Sequence, residues 1–278
     1  MAYVDDRGVR LWYDVRGDGE PLALIGGFGL LDDQFAHVTD RLADTMMVIN
    51  WHYRGCGRSD RSFHDGLTLD RWVDDLDLIR RDLQLERIHL WGTSTGSYLA
   101  LRYAARFAQQ VASLITYPMF RPSAASRAGM DAFAAVAECF GYEALAKLTQ
   151  WLGCGEGYVY GAGADALVQL ETESFARNFA IDDLRKILAI FSTANLTADI
   201  AKVAAPTALL LGDSGRLGSQ SRTVGREIEQ FERSCPGTET RLVANGGGTY
   251  CMVELPAETA SLVEAWIGEH PCRGPVQV

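Results

Sequence analysis

The chain's 278 residues could build two compact domains or one large domain carrying an insertion, and 47% hydrophobic residues exclude a disordered chain. A net charge of −10 without a Lys/Arg-rich block argues against nucleic acid, and no uncharged apolar stretch approaches the roughly 18 to 20 residues that span a bilayer. The N-terminal MAYVDDRGVR lacks the basic region and apolar core of a secretion signal, and six cysteines without CxxC or other metal spacing point to reduced thiols in a cytoplasmic protein.

Strands are expected over Val9 to Arg16 and Pro21 to Ile25, separated by the turn Gly17-Asp18-Gly19. The apolar runs Met46 to Ile49 and Ile88 to Trp91 read as buried strands. Between them LTLDRWVDDLDLIRRDL places Leu69, Trp72, Val73, Leu76, Ile79 and Leu83 at helical spacing, with Thr68 as N-cap. A helix over Leu99 to Phe107 and a strand over Val111 to Thr116 follow. This alternation predicts a mostly parallel sheet covered on both faces. From about Met119 to Asn195 the strand pattern gives way to Ala-, Leu- and aromatic-rich segments, read as helices broken at GCGEG and GAGAD. Strands at 206 to 211 and 240 to 244, with helices around 221 to 231 and 258 to 267, complete the pattern. The expected organisation is an α/β core of residues 1–118 and 196–278 with residues 119–195 as a helical lid.

The strongest local motif is Gly92-Thr93-Ser94-Thr95-Gly96, a G-x-S-x-G sequence after the strand RIHLW and before a helix. A serine on a strained strand-to-helix turn needs small residues two positions away on either side, and projects its hydroxyl from the carboxyl edge of the sheet. The plain alternative is a tight βα turn whose serine caps the helix.

With these residues the chain resembles the α/β-hydrolase family, in its lid-bearing lipase, esterase and epoxide-hydrolase-like branch. DDRGVRLWYDVRGDGEPLALIGGFG is similar to the family's opening hairpin and oxyanion loop, NWHYRGCGRSD to its D-x-R-G-x-G-x-S segment, PTALLLGDSGRLGS to the acid loop and GGGTYCMVELP to the histidine loop. The resemblance implies Ser94 as the nucleophile-position residue and the Phe28 and Thr95 amides as an oxyanion hole. Gly27, His52, Thr249, Tyr250 and Cys251 are candidate substrate-binding residues. The chain also departs from the family: the histidine position is Thr249, the acid position is Gly215, and the oxyanion loop begins at Gly26 instead of histidine. If the loops keep the family geometry, Thr249→His combined with Gly215→Asp is expected to restore the relay.

His52 follows the strand ending near Asn50 and is the one histidine placed at the carboxyl edge; its plainer role is a loop histidine bonded to backbone. His37, His64, His89 and His270 lie elsewhere in the pattern. Cys251 could act as a thiolate but has no cationic partner in sequence, which favours packing. Asp213 reads as support for its loop. The triplet Gly246-Gly247-Gly248 could make room for a substrate where an imidazole would stand. No HExxH, Walker loop or Cys/His cluster is visible, so no metal and no organic cofactor is expected.

A serine hydroxyl without a base attacks esters poorly, and losing relay members costs about four to six powers of ten in turnover. The expected function is therefore an enzyme that acts on a small apolar carbonyl compound through a closed cavity and oxyanion hole, by cyclisation, lyase chemistry or a related cofactor-free step. Two alternatives stay open: a catalytically dead ligand-binding relative, and a weak ester hydrolase with a replaced base. The partner is a small molecule, not nucleic acid or membrane.

Overall fold

The consecutive buried residues Leu11, Trp12 and Tyr13 anchor β2 (Val9–Arg16), which forms an antiparallel hairpin with β1 (Ala2–Asp6) through the turn at Arg7 and Gly8. The computed structural model describes residues 2–61, 66–121 and 124–272; His64 lies outside them. The chain continues through β3 (Glu20–Ile25), α1 (Ala36–Ala43), β4 (Met46–Trp51), α2 (Leu69–Asp82), β5 (Ile88–Gly92), α3 (Gly96–Arg106) and β6 (Val111–Thr116). Then come the helices α4 (Ala124–Gly153), α5 (Glu156–Val159), α6 (Ala164–Asn178), α7 (Ile181–Thr193) and α8 (Thr197–Ile200). The sheet resumes with β7 (Thr207–Ser214), α9 (Arg222–Ser234) and β8 (Glu239–Gly247), and the chain closes with α10 (Cys251–Glu254) and α11 (Pro256–Glu269).

The eight strands order β1-β2-β4-β3-β5-β6-β7-β8. The β1–β2 and β2–β4 pairs are antiparallel and the rest parallel, with helices on both faces. Every residue of β5 and β6 is buried, as a parallel strand covered on both sides requires. The parallel set puts the ends of β3, β5, β7 and β8 at one edge, where the loops of the candidate site gather.

Helix α2 shows how the pattern acts locally. The Thr68 hydroxyl accepts the Arg71 N–H at 3.1 Å, Asp70 sits in the first turn and Arg80 and Arg81 in the last, in the sense the helix dipole favours. Its apolar face, Leu69, Trp72, Val73, Leu76 and Ile79, is buried. Asp75 is buried on the same helix only because the Arg54 guanidinium grips it at 2.6 and 3.1 Å.

Among the described residues, 119–195 hold helices and no strand, with breaks at Cys154–Gly155 and Tyr160–Gly163, at the two glycine clusters. Two features were not foreseen. The short β1 has too few apolar residues for a strand signal, and α4 is interrupted at Gly141, whose φ is +83°. No helix is long and apolar enough to cross a membrane among the described residues.

Trp72 ties the helical segment to the core: its indole N–H donates to the Arg54 carbonyl at 3.0 Å, and its ring lies 5.1 Å from Tyr53 and 5.3 Å from Phe191 of α7. Trp72→Ala should therefore cost about 3–5 kcal/mol in urea unfolding, with loosening of α7 detectable as faster amide exchange there. A loss below about 1 kcal/mol would show that the two layers do not depend on this contact.

Candidate active site

Between β5 and α3 the chain turns within three residues, and Ser94 takes φ +51° at the turn. Glycine is required at both flanks by close approach. A Cβ on Gly96 would enter the Ile25 carbonyl, and one on Gly92 would lie 2.7 Å from Ala100 Cβ. Left-handed backbone at a serine costs on the order of 1–3 kcal/mol, held here by the packed strand and helix.

Ser94 faces a cavity of about 240 Å³. Gly27, Phe28, Thr95, Thr249 and Tyr250 share its wall, and the helical segment contributes Met130, Phe133, Leu152 and Phe175. The Phe28 ring packs 5.4 Å from Phe133 and 6.2 Å from Phe175. A larger basin of about 500 Å³ over Asp213, Gly215 and Asn245 is open and polar and does not include Ser94. The serine places the site in the smaller, apolar cavity.

The loops that would carry the rest of a relay are filled. Gly215 has φ +77°, and a Cβ there would run into the Cys154 carbonyl. The expectation that Gly215→Asp with Thr249→His restores the relay is therefore corrected: the acid position has no room for a side chain. The glycine triplet is also corrected. A Cβ on Gly247 would strike the Cys154–Gly155 backbone and one on Gly248 the Leu217 carbonyl, so these glycines admit neighbouring main chain and not a substrate. Asp213 supports its loop as expected, accepting the Asn245 N–H at 2.7 Å. Among the described residues no imidazole or carboxylate hydrogen-bonds Ser94 Oγ.

Three candidate residues differ from expectation. His52 lies outside the cavity wall: its Nδ1 accepts the Arg58 N–H at 2.8 Å, which leaves Nε2–H to donate to Asp32 at 2.8 Å. Burial would raise the Asp32 carboxyl, but the His52 bond and the Arg58 charge hold it below the usual range. Cys251 is buried away from the cavity wall at the start of α10, and burial pushes its thiol up to about 12, so it packs as a neutral side chain. The Phe28 N–H, an expected oxyanion donor, donates to Thr95 Oγ1 at 2.7 Å. An anionic oxygen would have to displace that hydroxyl.

Sequence reasoning missed two polar residues. Gln34 bridges the first and last loops of the site, its Oε1 accepting the Gly27 N–H at 2.6 Å and its Nε2 donating to the Thr249 carbonyl at 3.4 Å. Glu171 of α6 is buried with 1% exposure. Its Oε2 accepts the Thr149 hydroxyl at 2.9 Å. Burial pushes this carboxyl up to about 7, against the opposing hydrogen bonds of Tyr250, Thr149 and Gln150. Neither residue announces itself in sequence, because their partners lie far along the chain.

Among the described residues, Glu20, His89 and Cys272 form a cluster that could hold a metal, their donor atoms lying within 4.8 Å of one another on other elements than the cavity. This corrects the expectation of no Cys/His cluster: 183 positions separate His89 from Cys272, so spacing could not show it. Each member already has a hydrogen-bond partner, with His89 Nε2 against Glu20 at 3.1 Å, Nδ1 against Ser113 at 2.8 Å, and the Cys272 N–H donating to Glu20 at 2.9 Å.

Two predictions follow from this geometry. Gly215→Asp, alone or with Thr249→His, should lower Tm and give no faster labelling by a fluorophosphonate; faster labelling would mean the Cys154 backbone yields. Glu171→Gln should change the pH dependence of stability. Folding raises this carboxyl from 4.5 to about 7, so the stability it lends is complete below about pH 4.5 and is lost as pH rises to about 7. The swing is about 3 kcal/mol. The Tm of wild type relative to the Gln variant should therefore fall across that window and level off above it, whereas a constant difference would contradict the burial argument.

Residues 21–135 match the family described as alpha/beta hydrolase fold. The chain is 28% identical over 119 residues to a proline iminopeptidase of Thermoplasma volcanium, covering 41% of this chain and 40% of that protein. It is 28% identical over 120 residues to a cis-3-alkyl-4-alkyloxetan-2-one decarboxylase of Shewanella oneidensis, covering 41% and 36%. The chain spans about two fifths of the length of the curated relatives it matches. Among solved structures, an alpha/beta hydrolase enzyme from a Medee basin deep-sea metagenome library superposes with a TM-score of 0.82 at 16% identity, over 100% of both chains. Sheet order, elbow and these matches agree: the chain has the α/β-hydrolase fold, its residues 21–135 match that family, and hydrolases are among the proteins it resembles.

Proposed function

We propose that this protein is a cofactor-independent enzyme that closes its helical segment as a lid over a small, largely apolar carbonyl compound and acts on it without a Ser-His-Asp relay. The observation that carries the reading is the wall of the Ser94 cavity. Thr249 stands where the relay histidine would stand, amid apolar side chains, with Thr95, Tyr250 and Thr149 as hydroxyl groups. Such a site holds and polarises an oxygen but offers Ser94 no strong base. Cyclisation, elimination and lyase steps suit it, since they need shape, exclusion of water and proton management more than a nucleophile. The similarity to a protein named as an oxetanone decarboxylase is in keeping with non-hydrolytic chemistry on this fold.

A second reading, a ligand-binding protein without catalysis, is favoured by one contact. The Phe28 amide is engaged by Thr95 Oγ1 instead of pointing at an unoccupied oxyanion position. Weak ester hydrolysis with a replaced base finds less support, because neither His52 nor Cys251 shares the cavity wall.

Fluorophosphonate labelling of Ser94 should be about four to six powers of ten slower than for a hydrolase with its relay. Thr95→Ala, which frees the Phe28 N–H, should speed labelling about three- to tenfold, the worth of one hydrogen bond. A fast burst with an activated ester, abolished by Ser94→Ala, would return the protein to the ordinary hydrolases. A structure with a bound carbonyl compound separates enzyme from receptor, by whether Ser94 meets a reactive carbon or only a polar group.

A further inference from the structure

We propose that Glu171, Thr149 and Tyr250 form a proton relay opening onto the Ser94 cavity, in which Tyr250 exchanges a proton with an oxygen of the bound compound and Glu171 is the positioning residue that stores it. The inference rests on the reading of the cavity given above and deepens it, by naming the group that manages protons in place of the imidazole.

The geometry begins with an unexplained cost. A carboxyl buried to 1% exposure is expensive even when it is hydrogen-bonded, and a packing role at this position would be served by Gln or Leu. Glu171 instead reaches across from α6 to Thr149 of α4 and to the Tyr250 phenol, which itself meets both Glu171 and Thr149. Tyr250 and Thr149 form part of the cavity wall with Ser94. Glu171 lines a small void whose wall shares Leu30, Gln34 and Tyr250 with the Ser94 cavity. Tyr250, one residue after the expected histidine position, thus both meets the buried acid and borders the cavity.

The proton balance is simple. With an enolate or alkoxide bound, the Tyr250 O–H bond breaks and an O–H bond forms on the ligand. The Glu171 carboxylic acid returns a proton to the phenolate and is left ionised. The reverse sequence takes a proton from a bound hydroxyl. No bond between heavy atoms changes and no co-reactant is needed.

Burial pushes the Glu171 carboxyl up to about 7, which suits a group that gives and takes a proton near neutrality. Burial, followed by the Glu171 charge, raises the Tyr250 phenol well above its usual value, so it passes a proton on and does not remain ionised. The other titratable groups facing the cluster are Cys154 and Tyr158 before and within α5, Glu254 of α10, and Asp33 next to the void. Cys154 is raised by burial, then by the charges of Glu254 and Glu171. Asp33 is bonded to Ser174 and Arg177. Glu254 is also raised by burial, and accepts the amides of Gly155 at 2.8 Å and Gly247 at 3.1 Å, so it is the control that must be separated from Glu171.

Two fluorescent naphthalenes of similar size test the relay on the full-length protein. 2-Naphthol donates a hydrogen bond, whereas 2-acetonaphthone only accepts one. With Glu171 ionised, Tyr250 donates to it and offers its oxygen as acceptor to naphthol. With Glu171 protonated, Tyr250 is free to donate to the ketone. As pH rises through about 7, naphthol should bind about three- to tenfold tighter and the ketone weaker by a similar factor. Both responses should vanish in Glu171→Gln and Tyr250→Phe, which still bind, and persist in Glu254→Gln. Should Glu171→Gln fail to fold, Tyr250→Phe carries the test, since it keeps the ring and the acid. Binding with no pH response, or a response that survives in Tyr250→Phe or is lost instead in Glu254→Gln, overturns the relay alone. Failure of both probes to bind at any pH overturns the cavity reading together with it.

Discussion

The approach of the Cys154–Gly155 turn to two core loops is the contact on which the site depends. The turn ends α4, and it lies so close to Gly215 after β7 and Gly247 at the end of β8 that neither position admits a Cβ. Glu254 fixes it by accepting N–H groups from both sides, Gly155 at 2.8 Å and Gly247 at 3.1 Å. Once this turn is seated, the end of α4 delivers Thr149 and Leu152 to the cavity wall, and α6, packed on α4, places Glu171 against Tyr250. One backbone contact thus excludes an acid at the relay position and supplies a different acid nearby.

The other end of the helical segment is held as firmly. Asn178 donates to the Gly29 carbonyl at 2.6 Å and accepts the Gly57 N–H at 2.7 Å, while Ser174 and Arg177 reach Asp33. The oxyanion loop is therefore braced by the same segment that covers it. Its amides are already committed: Gly27 to Gln34 and Phe28 to Thr95. Buried N–H groups need acceptors, and in this loop the protein furnishes them from its own side chains. That internal satisfaction stabilises the loop and raises the threshold a ligand oxygen must meet to bind there.

Much of this architecture was legible from residues near one another in the chain. Helix α2 could be read because Thr68, Trp72, Leu76 and Ile79 carry cap and period within one segment. The elbow could be read because its glycines flank the serine at fixed spacing. Hidden features involve pairs brought together by the fold: Gln34 with Thr249, Glu171 with Tyr250, and His89 with Cys272. The glycine triplet was misread for a related reason. Glycine signals either open space or close approach, and only the neighbouring strand of chain decides which. Here Leu217 and the Cys154–Gly155 turn occupy the space.

These facts constrain how such a site can differ from a hydrolase's. A relay histidine works as base and acid on one mobile proton, oriented by a carboxylate behind it. In this chain the carboxylate beside the site is Glu171, it meets a phenol instead of an imidazole, and it belongs to the helical segment instead of the sheet. A phenol holds its proton far more tightly than an imidazole, so it cannot strip a serine hydroxyl near neutrality. It can still hydrogen-bond a carbonyl and follow the proton demand of an enolate as charge develops. On the function proposed, Ser94 holds an oxygen in register with Tyr250 from its left-handed turn. The apolar wall of Phe28, Phe133 and Phe175 then decides which compounds reach them. On that proposal, shape and proton position, more than nucleophilic attack, are what this cavity controls.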